Sequence, residues 1–190
     1  MPLPESEISR ELVHTRTVKV EGYQRSDGLW DIDGWLTDTK PYSFPNHDRG
    51  EIKAGEPLHG MGLRITIDND MKIVDAVAVT DHSPYAICSK ITPNFKKLIG
   101  LVIKPGFNTA VKQRLGGVEG CTHLVELLGP MGTTAFQSLV GRRFAEMKKM
   151  METGERRPPM LDSCHTWASD GEVIKRDFPK FYKPKDKAAE

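Results

Sequence analysis

The residues best suited to chemistry gather in Gly116-Gly117-Val118-Glu119-Gly120-Cys121-Thr122-His123-Leu124, a glycine-rich approach to the start of a predicted helix. At a helix start the first N–H groups have no partner inside the helix, and the aligned peptide dipoles favour negative charge. A thiol placed there is biased toward thiolate, and an anionic or carbonyl oxygen is welcomed beside it. Cys121 and His123 therefore suit a nucleophile, a metal-ligand pair or an oxyanion pocket, with Thr122 as a substrate contact between them. A plainer alternative stays open, in which Cys121 is a small buried hydrophobe and His123 a satisfied polar residue.

Two further segments carry reactive groups. Thr80-Asp81-His82-Ser83-Pro84-Tyr85-Ala86-Ile87-Cys88 leaves the last predicted strand, and loops at strand ends hold functional groups on a rigid base. In an acid-base site His123 is the general base or acid, Asp81 its orienter and Tyr85 a hydrogen-bond donor; otherwise Asp81 caps the Ser83-Pro84 turn and Tyr85 fills core. Leu161-Asp162-Ser163-Cys164-His165-Thr166-Trp167 is the third segment. Three cysteines from three segments make Cys88, Cys121, His123 and Cys164 a candidate set for zinc or an iron-sulfur cluster, although none of them shows CxxC or HxxxH spacing. The acid-base reading expects no cofactor.

The elements that must position these groups follow from periodicity. Val18 and Val20 alternate with Lys19 and Glu21, Arg25-Ser26-Asp27-Gly28 supplies a turn, and Trp30, Ile32, Gly34 and Leu36 alternate back, which predicts a β-hairpin. Met61, Leu63, Ile65 and Ile67, the turn Asp68-Asn69-Asp70, and Ile73, Val77 and Val79 predict a second hairpin and so a four-stranded antiparallel sheet. Residues 41–57 show no sustained period and read as a long loop that could act as a lid. Helical spacing then covers one sheet face. A short helix is expected with Pro93 in its first turn, and another with Asn108 as N-cap. A longer helical region begins near Cys121, with a kink or break at Gly129-Pro130. The expected fold is α+β, with an arm over 1–14, one domain over 15–146 and an irregular tail over 147–190, of which 161–182 packs back on the domain. Gly22, Gly34, Gly60 and Gly62 lie within predicted strands beside aromatics. They leave room for a ligand contacted by Trp30, Trp35 and His59, or their gaps are filled by large neighbours. His14 and His59 are expected to face one region.

Composition limits the partners. Lys and Arg number 27 against 26 acidic residues, so a net charge of +1 offers no field for nucleic acid or anionic lipid. Hydrophobic residues at 38% and charged residues at 28% suit a globular chain. No stretch reaches the length of a membrane span, no basic and apolar leader opens the chain, and an odd number of cysteines argues for reduced thiols. The expectation is a cytoplasmic protein that binds a small molecule, with no nucleic acid or membrane partner, and that forms a homo-oligomer. There is no GxSxG elbow, phosphate loop or dinucleotide fingerprint.

Glu21-Gly22-Tyr23, Asp27 to Asp31, Asp38-Thr39-Lys40, Gly55 to His59, Pro84-Tyr85 with Cys88, Arg114 to Gly117, Gly120 to Leu124 and Thr133 to Gln137 together resemble the bacterial family catalogued as domain of unknown function 2889. That resemblance carries no activity with it. From the residues, the expected function is acid-base chemistry on an aromatic or acyl substrate, as a carbon-carbon lyase releasing a small aldehyde or as a hydrolase. A metal-binding protein and a non-catalytic binding or assembly module are the alternatives.

Overall fold

The computed structural model describes residues 3–153, 157–158 and 160–184, with backbone only over 142–152. Contacts divide the chain into residues 1–138 and 139–190, and each unit is described by itself.

In the first unit β1 (Thr15–Gln24) and β2 (Trp30–Thr39) form the expected hairpin. Gly28 has φ of 86°, the left-handed conformation that a glycine adopts without steric cost, and closes the turn. β5 (Pro57–Ile67) and β6 (Ile73–His82) form the second hairpin, and the four strands run antiparallel in the order β1-β2-β5-β6. The fold class is α+β, as the alternation implies. Inward residues Ile32, Leu36, Met61, Leu63, Ile65, Ile67 and Ile73 are at most 2% exposed, so one sheet face is core. The other face carries Trp35, Val77 and Val79, each more than a third exposed.

Residues 41–57, read from sequence as loop, contain a small hairpin of β3 (Phe44–Asn46) and β4 (Gly50–Ile52). Strands of three residues are too short to display a period. Ile52 is 1% exposed and anchors it, while the Asp48 carboxylate accepts the Ala86 N–H at 2.7 Å.

Helical elements follow. A 3-10 segment covers Ala86–Leu98 and holds Pro93 in its interior rather than at its start. α1 (Phe107–Leu115) begins two residues from where Asn108 would have capped it, because Gly106 at φ of 91° occupies the N-cap. α2 (Thr122–Thr153) is assigned as helix through Gly129-Pro130, where a kink or break was expected.

Within the first unit α2 lies along the covered sheet face, running against the direction of β2. A Cβ at Gly34 would meet Met131 Sδ at 2.8 Å and Leu127 Cβ at 3.6 Å, and one at Gly22 would strike Ser138 Oγ. The missing side chains are therefore docking room for the helix. Gly62 is filled likewise by the Trp35 ring on the opposite face. Leu127 and Met131 are both 0% exposed, and burying each contributes about 2 kcal/mol.

In the second unit Leu161, Ile174 and Phe178 form an apolar cluster with Trp167, Phe181 and Tyr182 packed against it. This cluster is internal to the segment and includes α3 (Glu172–Asp177). Trp167 and Phe178 stack with centroids 5.6 Å apart. No helix among the described residues is long and apolar enough to cross a membrane.

Candidate functional site

Asp38 sits on the inward phase of β2, in step with Ile32 and Leu36, where an unpaired carboxylate would be costly. Its side chain is 1% exposed, and four donors surround it. Arg16 Nε reaches Oδ1 and Nη2 reaches Oδ2, both at 2.8 Å. His14 Nε2 is 3.1 Å from Oδ1 and His59 Nδ1 is 2.8 Å from Oδ2, and a ring nitrogen facing a carboxylate oxygen carries the proton between them. Strand register explains the convergence: Asp38 is the cross-strand partner of both Arg16 on β1 and His59 on β5. Arg16 also reaches Glu126 on the first turns of α2 through Nη1.

α2 brings the last member. The His123 ring stacks on His59 with centroids 3.9 Å apart and planes inclined by 32°. Asp38, His59 and His123 each offer a ligand atom, and these atoms all lie within 4.8 Å of one another. Beside His123, Cys121 Sγ lies 3.9 Å from its Nδ1 and 3.8 Å from Met61 Sδ.

Electrostatics follow from burial and neighbours. Burial pushes the Asp38 carboxyl up, but hydrogen bonds from Arg16 and His59, together with their positive charge, outweigh it and hold the group at about 2. Hydrogen bonding to Asp38 raises the Arg16 guanidinium further. Burial lowers His123 below its usual value, and the neighbouring His59 and Arg16 charges push the same way, so its neutral form is favoured.

The approach to Cys121 is held by backbone as much as by side chains. Asn94 Nδ2 donates to the Glu119 carbonyl at 3.1 Å and Lys97 pairs with the Glu119 carboxylate. A Cβ at Gly120 would run into the Leu115 carbonyl oxygen, which cannot move without disturbing the end of α1. Gly120→Ala is expected to destabilise the protein by about 2 kcal/mol, with the shift delivered to Cys121. Chemical denaturation and the rate of Cys121 modification by a disulfide reagent measure both; a change within about 0.5 kcal/mol with an unaltered rate would show that the contact is relieved elsewhere.

Of the residues singled out from sequence, His123, Cys121 and His59 meet here, and Thr122 is the exposed first residue of α2. His14 and His59 share one region, as expected, because both contact Asp38. Asp81 is exposed at the end of β6 and Tyr85 is 58% exposed, and among the described residues neither forms a hydrogen bond or ion pair with His123. Trp30 lies eight residues from Asp38 along β2, about 26 Å away at the rise of a strand. Its Nε1 donates to Asn69 Oδ1 at 3.1 Å. Trp35 belongs to the opposite sheet face. Cys88 is half-buried in the 3-10 segment, and Cys164 is exposed in the second unit. Asp38, Arg16, Glu126 and Met61 were not read from sequence as site residues. An open depression of about 510 Å³ between the start of α1 and the middle of α2, bordered by Lys104, Phe107 and Phe136, includes none of these groups. The site is therefore assigned from its chemistry rather than from the cavity.

Fold and cluster together define an α+β domain with a buried carboxylate bound to two imidazoles and a third imidazole stacked above. Residues 14–137 match the family described as Protein of unknown function (DUF2889), and the chain belongs to it. No curated protein and no solved structure matches the chain.

Proposed function

We propose that the chain is a metal-dependent small-molecule enzyme of the hydrolase or lyase type, binding a divalent transition ion through Asp38, His59 and His123. The observation that carries this reading is the meeting of three ligand-type groups from two strands and a helix start, all within 4.8 Å. Two donors on one ion with bonds of about 2.0–2.2 Å stand about 2.8–4.4 Å apart, so atoms up to 4.8 Å apart would close in, and the stacked imidazoles would turn, to share an ion. His59 Nδ1 and Asp38 Oδ2, at 2.8 Å, already have the spacing of neighbouring ligands. Binding would need His59 Nδ1 without its proton: from a doubly protonated ring that proton passes to solvent, and from a neutral ring it moves to Nε2, so that the bound imidazole is neutral with its proton on Nε2.

Charge supports the same reading. With His59 neutral, as a ligand must be, Arg16 is one cation between the carboxylates Asp38 and Glu126, so a dication meets a net negative charge and a neutral-leaning His123. Arg16 and His14 keep the outer lone pairs of Asp38 occupied and so orient it, as carboxylate ligands require. Three protein ligands leave positions for water and substrate, and a zinc-type ion brings the pKa of its water to about 7. The proposed setting is a reducing compartment such as the cytoplasm, in which the three free thiols persist.

Cobalt(II) titration of chelator-stripped full-length protein tests this. One equivalent should bind with visible d–d bands of a low-coordinate site, and absence of saturable binding would sink the proposal. A second reading is favoured by the short Asp38–His59 contact, which fixes His59 with Nε2 free as a metal-independent general base. Hydrolysis of a chromogenic acyl ester by protein that takes up no cobalt, abolished in His59→Gln, would select it.

A further inference from the structure

Cys121 and Met61 lie outside the Asp38–His59–His123 group, yet Cys121 Sγ stands against both the Met61 thioether and the His123 imidazole. We infer that Cys121, Met61 and His123 form a binding site for a thiophilic monovalent d10 cation, of which copper(I) is the representative probe.

Spacing is the first argument. Two sulfur ligands on one ion, with bonds of about 2.3 Å and angles between tetrahedral and trigonal, stand about 3.8–4.0 Å apart. Cys121 Sγ and Met61 Sδ are separated by 3.8 Å. A sulfur and an imidazole nitrogen on a trigonal ion stand about 3.7 Å apart, and Cys121 Sγ to His123 Nδ1 is 3.9 Å. Both contacts of Cys121 therefore already match the ligand–ligand spacing of a shared ion to within tenths of an ångström.

Position is the second. Met61 is 1% exposed on β5, an interior strand of the sheet, where it is paired on both sides. Cys121 immediately precedes α2, with its carbonyl accepting the Val125 N–H at 2.9 Å, and His123 is in the first turn. None of the three donors rests on a mobile loop.

Selectivity is the third. A thioether and a thiol are poor ligands for magnesium, calcium or manganese and good ones for copper(I). The loading step balances simply: the ion replaces the Cys121 thiol proton, which passes to buffer, and no electron moves. A monovalent ion with one thiolate, a thioether and a neutral imidazole forms a complex of zero net charge, which a buried place beside Met61 tolerates. A dication there would keep a positive charge. The site shares His123 with the proposed enzyme centre but none of its oxygen donors, so either can fail without the other.

The test uses reduced full-length protein under anaerobic conditions, titrated with copper(I) buffered by a chromogenic chelator. One equivalent should bind. Cys121→Ser should weaken it by about a hundredfold or more and Met61→Leu, which keeps the core volume, by about tenfold, with cobalt(II) uptake unchanged in both. His59→Gln should leave copper(I) binding intact. Copper(I) affinity that survives Cys121→Ser shows that another thiol holds the ion and overturns the inference; affinity unchanged in Met61→Leu, with the variant folded by near-ultraviolet circular dichroism, overturns the thioether's part. Copper(I) binding with this pattern in a protein that takes up no cobalt(II) would support this site while removing the proposed enzyme centre.

Discussion

Asp38→Ala is expected to lower the stability of the protein by about 3 kcal/mol at neutral pH, the largest single-residue effect at the site. The carboxylate is 1% exposed and accepts from Arg16 twice, from His14 and from His59. Truncation leaves those donors facing a void. Arg16 is 34% exposed and His14 38%, so both can turn toward water, which keeps the cost near the lower end for a broken buried pair. His59, at 12%, has less freedom. Asp38→Asn should be nearly as damaging, because the amide NH2 presents donors to donors on one side of the group. The pH dependence separates this from a simple cavity. With the folded carboxyl at about 2, below the ordinary 3.8, its stabilisation is complete above about pH 4 and is lost as pH falls toward 2. The stability difference between wild type and Asp38→Asn should therefore shrink across that window. Urea unfolding at pH 7, 4 and 2.5 measures it; a cost below about 1 kcal/mol, or a difference indifferent to acid, would mean that Asp38 is not the electrostatic centre described.

That centre was half visible in the amino-acid sequence, and the reasons are physical. Alternation set the first hairpin, because Trp30 to Leu36 bury one face, Val18 and Val20 alternate with Lys19 and Glu21 on the exposed strand beside it, and an Asp-Gly turn joins the two. The same alternation puts Asp38 in phase with Ile32 and Leu36, and a carboxylate on an apolar phase demands partners. That signal was present and identifies the residue that the helix-start argument for Cys121 and His123 did not reach. It also separates Trp35, one residue out of phase with Leu36, from the site. Other features had no local signature. The irregular register between Gly60 and Met61 determines where Thr80 to His82 end up, and nothing in Thr80 to Cys88 announces it. Asp81 and Tyr85 suit partners for His123 by their types and by their place at a strand end, and neither feature fixes where the loop leads. The glycines at 22, 34 and 62 read ambiguously until the residues opposite them were known, since the room they leave is set by Ser138, Met131 and Trp35 from distant parts of the chain.

The cobalt(II) affinity of the two imidazole variants bears most directly on the proposed chemistry. His59→Gln and His123→Gln should each weaken binding by about a hundredfold or more, because even residues that only orient a ligand change affinity by about 10- to 100-fold. Glutamine at 59 retains a donor for Asp38, so the cross-strand hydrogen bond between β2 and β5 is kept and the loss reports the ligand rather than unfolding. Glutamine at 123 gives up the ring that stacks at 3.9 Å on His59, and that variant is expected to loosen His59 as well. The two losses should consequently not add. Once one imidazole is gone, the second holds an ion with Asp38 alone, and the double variant should bind little more weakly than the weaker single one. Full additivity would indicate two independent weak sites in place of a shared centre. Unchanged affinity in His123→Gln would remove α2 from the site and leave the cross-strand pair of Asp38 and His59 as the ion's protein ligands.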